Sequence, residues 1–168
     1  MPDKRTIKRA RKDRRQGKSP STQAGEFVRE EIHDIRRGEH GARSPKQAIA
    51  IALSKARRAG VDLPPPQKGK TSEKTRRKAQ RDFARGHGAP AKRKPSAKRS
   101  RAIRAALKRE PRSTASHEAL SRQAHTAAAK RSHAERSASA QKAVRTKGPA
   151  KRSAAARKAA RTRARAAA

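Results

Sequence analysis

Large apolar side chains are few in this chain and are concentrated in one short stretch. Nine of the sixteen Ile, Leu, Val, Phe and Met residues lie between Phe27 and Leu63. Residues 67–168 carry thirty-two Lys and Arg against five acids, and the whole chain has a formal net charge of +36. A segment with so little apolar surface and so much charge of one sign gains too little from burial to offset the entropy of ordering. Residues 21–66 are therefore the part that we expect to fold.

The first half of this stretch has the periodicity of an amphipathic helix. Four apolar residues fall within a sector of about 80° on a helical wheel: Ala24, Val28, Ile32 and Ile35. Ser21 or Thr22 can cap the start, and Gly38 is a natural stop. The pattern predicts a helix over about residues 23–37.

The second half carries a more complete start signal. Ser44 can cap a helix, Pro45 suits its first position, and Gln47 can reach back to close a capping box. Gly60 can supply a left-handed residue at the other end. We predict a helix over about residues 45–59, which makes an all-α helical hairpin with the first.

The apolar arc of the second helix spans about 200°, which one partner helix cannot cover. The hairpin is therefore expected to form a homodimer through residues 21–66 or to pack against another segment of its own chain. A third helix over residues 72–85, with Phe83 as its large apolar anchor, is the local candidate.

Composition divides the remaining chain into arms and linkers. Residues 1–20 form a basic arm, residues 67–88 contain the third helix and a linker, and residues 89–168 form a low-complexity Ala/Lys/Arg/Ser tail. Like charges at close spacing oppose helix formation, although Ala and Arg favour it. We expect the arms to be disordered or only conditionally helical, with segments 96–110 and 153–167 gaining helix when phosphates neutralise them.

The sequence gives little support to catalysis, metal binding or cofactor binding. A chain with so small a core does not build a preformed pocket, so we predict no enzymatic activity and no cofactor or small-molecule substrate. Three carboxylates recur at four-residue spacing (Glu26, Glu30 and Asp34), which is typical of a solvated acidic face. Three histidines recur every eight residues (His117, His125 and His133), but they do not share one helical face, so no metal site is predicted.

Charge indicates a polyanionic partner, and nucleic acid is favoured. A membrane surface would require large apolar residues along a basic helix, which the tail lacks. The six-residue hairpin connection is longer than a helix-turn-helix turn, which argues against base reading. The candidate phosphate-binding residues are Arg43, Lys46, Arg57, Arg58, Arg76, Arg77, Lys78, Lys92, Arg93, Lys94, Lys98, Arg99, Arg101, Lys151, Arg152, Arg157, Lys158 and Arg161.

Two motifs stand out within residues 22–64: a His-Gly-Ala-Arg-Ser turn at residues 40–44 and a Lys-Ala-Arg-Arg-Ala-Gly helix end at residues 55–60. Through these motifs residues 22–64 resemble a small bacterial domain family of unknown function. Members are often described as DNA-binding, which implies a bacterial DNA-binding protein. The tail is similar in composition to those of linker histones and bacterial histone-like proteins.

The function expected from the sequence is therefore sequence-nonspecific DNA binding. The protein would be cytoplasmic and associated with the nucleoid, neutralising phosphates and compacting or bridging duplexes. An RNA-binding or ribosome-associated protein is the alternative, because the same charge would bind RNA. A protein–protein adaptor acting through the hairpin is the third class.

Overall fold

The computed structural model describes residues 2–90 and 96–167, and all regular secondary structure in these ranges is helical. The predicted all-α class is confirmed. The elements are α1 (Lys4–Arg15), α2 (Pro20–Arg37), α3 (Pro45–Arg58), α4 (Glu73–Gly86), α5 (Ala97–Arg109), a 3₁₀ turn (Arg112–Ala115), α6 (His117–Ala129) and α7 (His133–Ala167). The chain divides into two compact units, residues 1–123 and 124–168. In the described ranges, none of the helices combines the length and apolar character needed to cross a membrane.

The hairpin of α2 and α3 is present, but α2 begins earlier than predicted. Ser19, rather than Ser21 or Thr22, is the capping residue, and its hydroxyl accepts a hydrogen bond from the Thr22 N–H at 3.4 Å. Pro20 occupies the first helical position, where its missing N–H leaves no donor unsatisfied. The proline that ended the predicted arm thus begins a helix.

The predicted Ser44 cap and Gly60 end of α3 are confirmed, but Gln47 reaches the N–H of Arg43, one residue before the one that a capping box requires. The Ser44 hydroxyl accepts from the Gln47 N–H at 3.3 Å, and the Gln47 side chain accepts from the Arg43 N–H at 2.9 Å. At the other end Gly60 is left-handed, with φ of 84°. The Val61 N–H then bonds to a carbonyl of the last turn, and the Val61 side chain is buried. The turn after α3 thus places the Val61 side chain in the core.

The prediction that the basic arm over residues 1–20 is disordered or only conditionally helical is not supported, because Lys4–Arg15 is a helix packed on α2. Asp3 caps it by accepting from the Arg5 N–H. Thr6 and Ala10 are buried, at 1% and 4% exposed. Small side chains allow close approach to α2, so a helix with almost no large apolar residue still acquires a packed face.

Segments of the same chain cover the wide apolar arc of α3. One cluster joins α1, α2 and α3 around Phe27, which is fully buried beside Ala52 and Ala56. A second cluster lies at the opposite end of α2, where Ala115 of the 3₁₀ turn packs with Ile35. The predicted third helix is confirmed as α4, which packs on α3, although Ala79 rather than Phe83 is its buried residue.

Two glycines permit backbone approaches that hold these segments against the hairpin. A Cβ on Gly41, in the hairpin connection, would overlap the carbonyl oxygen of Glu110. A Cβ on Gly86 of α4 would overlap the carbonyl oxygen of Arg57. The Gly41 N–H also donates to the Leu107 carbonyl oxygen at 2.8 Å. Any larger residue at either glycine would push the two backbones apart.

The tail differs from prediction in two respects. Its described residues form α5, α6 and α7, where disorder or partial helicity was expected. The described tail residues 96–123 also belong to the first unit, in which Ala115 and Leu120 pack against the hairpin. In the second unit α7 is interrupted at Gly148, whose φ of 67° and ψ of 169° are not helical.

Candidate nucleic-acid interface

Every acidic side chain of the protein is engaged within the chain. All thirteen Asp and Glu residues fall in the described ranges, and ten of them form ion pairs with Lys, Arg or His. The other three, Asp3, Glu118 and Glu135, lie at helix N-termini and accept local hydrogen bonds there. The acids therefore serve folding, and the large cationic excess remains without internal counter-charge.

The central ion pair is buried between α2 and α3. Glu31 is completely inaccessible to solvent, and its Oε2 lies 2.7 Å from Lys55 Nζ. The same ammonium lies 3.8 Å from carboxylate oxygens of both Glu30 and Asp34, and His40 Nε2 lies 3.5 Å from Glu31 Oε1. Neither Glu31 oxygen makes a well-aligned hydrogen bond. Neutralisation of this carboxylate thus depends on Lys55.

This cluster corrects the interpretation of the acidic residues of α2 as a solvated face. Only Glu26 behaves as expected, since it pairs with Arg9 at 2.5 Å. Asp34 is buried, and desolvation, reinforced by Glu39, raises its pKa. Ligand atoms of Glu31, Asp34 and His40 come within 4.8 Å of one another, a spacing that suits a metal ion. The ammonium of Lys55 already occupies the cationic position there.

A second electrostatic contact ties α4 to the end of α3. His87 Nε2 lies 2.5 Å from Asp62 Oδ1, and its Nδ1 lies 2.8 Å from the Phe83 carbonyl oxygen. Both partners are acceptors, so a protonated imidazole satisfies both contacts. The bond to Asp62 raises the pKa of His87, and the same bond lowers the pKa of Asp62.

The four predicted phosphate-binding residues of the hairpin have different environments. Lys46 is exposed and has no ion-pair partner in the described ranges. Arg43 is exposed but lies 3.6 Å from Glu110, and Arg58 lies 3.7 Å from Asp82. Arg57 is buried, and its guanidinium donates to the carbonyl oxygens of residues 63 and 64. These bonds hold the segment after α3 against the end of that helix.

The predicted residues of α4 lie on its outer side to different extents. Arg76 is half-buried and pairs with Glu73 at 2.9 Å. Arg77 is 74% exposed and lies 3.5 Å from the same carboxylate. Lys78 is exposed, and no acid pairs with it among the described residues. A phosphate could replace Glu73 as the partner of Arg77 with little loss of fold stability, because exposed ion pairs stabilise a fold only slightly.

The predicted tail residues that the structure describes are all exposed on helices. Those on α5 are Lys98, Arg99 and Arg101, and those on α7 are Lys151, Arg152, Arg157, Lys158 and Arg161. Acids pair with none of these eight in the described part of the chain. Lys92, Arg93 and Lys94 lie outside the described residues. Arg157 and Arg161 are one helical turn apart and line the same shallow groove with Arg165.

Sequence reasoning missed the residues that hold the basic helices in place. Lys55 and Glu31 looked like ordinary charged surface residues, although both lie on the apolar side of their helices. The signal was their spacing: Glu31 lies four residues from both Phe27 and Ile35, and Lys55 lies three residues after Ala52 and four before Ala59. Comparison with protein-family models, curated proteins and solved structures found no match to this chain.

Proposed function

We propose that the protein binds duplex DNA through its phosphates, without reading base sequence, and acts in the nucleoid of the bacterial cytoplasm. The observation that carries the proposal is the complete use of acids inside the fold. With thirteen acids engaged and forty-nine Lys and Arg present, most of the +36 charge has no internal partner. Binding DNA releases the counterions that such a surface and the phosphates otherwise hold.

The positions of the two aromatic residues favour a duplex over single-stranded nucleic acid. Single-strand binders stack bases on exposed aromatic side chains. The chain has two aromatic residues, and Phe27 is fully buried while Phe83 stacks on His87. Phe27 is therefore inaccessible to a base, and one face of the Phe83 ring is covered.

The helical presentation of the charge favours DNA over duplex RNA. The major groove of B-DNA is about 12 Å wide and admits an α-helix, whereas the major groove of A-form RNA is too deep and narrow for side chains to read. In the described ranges every predicted binding residue except Arg43 lies on a helix. The protein is proposed to have no catalytic role.

The second unit is proposed to gain stability on DNA. Residues 133–167 carry eleven Lys and Arg against one Glu, so like charges repel along α7. Phosphates would remove this repulsion, and the helical signal in circular dichroism should rise when duplex is added. Exposed basic helices in both units would also allow one molecule to bind two duplexes.

A salt titration of the full chain with short duplexes tests the proposal. If six to ten phosphates are contacted, affinity should fall by about 10³–10⁵-fold between 50 and 200 mM salt. Duplexes of different sequence should bind equally. Salt-independent binding, or a strong preference for one sequence, would contradict the proposal. Tighter binding to structured RNA at matched salt would favour the RNA-binding alternative, and saturable capture of a protein by the hairpin would favour an adaptor.

A further inference from the structure

The outer face of α1 is a continuous basic surface of the first unit. At about 100° per residue, six of its cations fall within a sector of about 120°. All six are exposed, and no acid pairs with any of them among the described residues: Lys4, Arg5, Lys8, Arg11, Lys12 and Arg15. The buried residues Thr6 and Ala10 lie on the opposite side. The helix therefore has one packed face and one wholly cationic face.

Several contacts fix α1 against the hairpin. The Asp3 N–H donates to Glu30 Oε1 at 3.1 Å, which anchors the start of the helix to α2. In the middle, Arg9 pairs with Glu26 at 2.5 Å. After the helix, the Gln23 amide donates to the Lys18 carbonyl oxygen at 2.8 Å and closes the turn into α2. The cationic face is thus held in place before any ligand binds.

We propose that this outer face of α1 is a phosphate-binding surface that lies along the backbone of duplex DNA. The inference rests on the proposed function and adds a defined surface within the folded unit. From Lys4 to Arg15 the helix rises by about 16 Å. Each strand of a duplex carries one negative charge per about 3.4 Å of its axis, so that length spans about five phosphates of one strand. Because the face is preformed, binding costs less ordering entropy than at a flexible arm.

Two pairs of arginines on α1 allow an experiment to distinguish a defined binding surface from diffuse positive charge. Arg11 and Arg15 lie on the outer face, whereas Arg9 and Arg14 pair with Glu26 and Asp62. The double variants Arg11→Gln/Arg15→Gln and Arg9→Gln/Arg14→Gln remove the same charge from the same helix. Each is compared with the full-length protein in duplex binding titrations over a series of salt concentrations.

The first variant should reduce the slope of log K against log salt by about 1.8, because each phosphate contact contributes about 0.9. The second should leave the slope unchanged. An equal loss of slope in both variants, or no loss in the first, would overturn the proposal for the α1 surface. If binding still weakened steeply with salt, the proposed function would stand. No duplex binding by the unmodified chain would instead remove the proposed function itself.

Two further measurements complete the test. If Arg9→Gln/Arg14→Gln lowers the unfolding midpoint, then Lys18→Gln/Arg37→Gln serves as the control, because those cations also pair with acids, at 2.6 and 2.7 Å. Repeating the titrations with duplex RNA tests the assignment to DNA. A greater loss of slope for Arg11→Gln/Arg15→Gln on RNA than on DNA would overturn that assignment.

Discussion

The two units of this protein are both helical and both basic, but different forces hold their helices. In the first unit α2 and α3 bury Phe27, Ile35 and a row of alanines, and an ion pair at 2.7 Å crosses the interface. In the second unit none of the described side chains of α7 is buried, and the helix carries one acid. Burial and paired charge stabilise the first unit, whereas helix propensity and local hydrogen bonds stabilise the second.

This difference teaches where acidic residues matter in a highly cationic chain. Eleven of the thirteen acids precede residue 111, in the part that packs. There they pair with Lys55 inside the fold and with some surface arginines, and most of the exposed cations of the described residues keep no acidic partner. A basic protein can thus keep a cooperative fold without reducing the charge of its surface.

The largest expected effect comes from breaking the buried pair of the first unit. Lys55→Met should lower the free energy of unfolding by about 3–5 kcal/mol, because Glu31 would be left buried without a counter-charge. Thermal or urea denaturation measures the change. Lys46→Met, an exposed lysine on the same helix, should stay within about 0.5 kcal/mol.

A double variant identifies the cause of that loss. Glu31→Met combined with Lys55→Met should recover most of the stability, because a buried ion pair can often be replaced by apolar residues. If Lys55→Met alone were harmless, the first unit would not depend on paired charge, and the contrast between the units would fail.

The next effect concerns the close approach of α3 and α4. Gly86→Ala should destabilise the first unit by about 1–3 kcal/mol, because the added methyl group meets the Arg57 carbonyl oxygen. Gly25→Ala is the matched change, since Gly25 is also helical but has no atom within 4 Å of an added Cβ. It should stabilise by about 0.5–1 kcal/mol, the usual helix preference for alanine. Shifts of the same sign in both variants would show that α4 does not contact α3 this closely.

The smallest effect is a pH dependence confined to the first unit. The pKa of His87 is raised above its ordinary 6.5, so its contribution to stability is complete below pH 6.5 and is lost as pH rises through the raised value. The pKa of Asp62 is lowered from 3.8, so its contribution is complete above pH 3.8 and is lost as pH falls through the lowered value. The contact therefore stabilises most between those limits.

Unfolding midpoints across pH measure this contribution. His87→Gln should remove the decline above pH 6.5 that the contact causes, whereas His125→Gln, an exposed histidine of the second unit, should leave the profile unchanged. An unchanged profile in His87→Gln would show that the Asp62 contact does not stabilise the fold.

The sequence was sufficient for the local features of the fold and insufficient for its long-range ones. Ser44, Pro45 and Gln47 determine a helix start by contacts within four residues, so pattern reasoning located α3 to within one residue. The docking of α1 depends on two small residues, Thr6 and Ala10, which carry almost no hydrophobic signal. The burial of Arg57 depends on backbone carbonyl groups after the helix. Every residue has a carbonyl group, so the sequence carries no signal for that contact. Charge predicted a nucleic-acid partner, but only the structure shows which cations of α1 face outward.

The contact between the hairpin and the 3₁₀ turn has a consequence for folding kinetics. Arg36 Nε donates to the Ala115 carbonyl oxygen at 2.9 Å across 79 residues of chain, while α2 and α3 meet through a seven-residue connection, residues 38–44. Short connections close quickly, and long ones close late because more chain entropy is lost. On the ribosome, α1 to α3 emerge and pair before residue 115 is synthesised. Folding of the first unit therefore ends with the arrival of a segment that composition alone assigns to the tail.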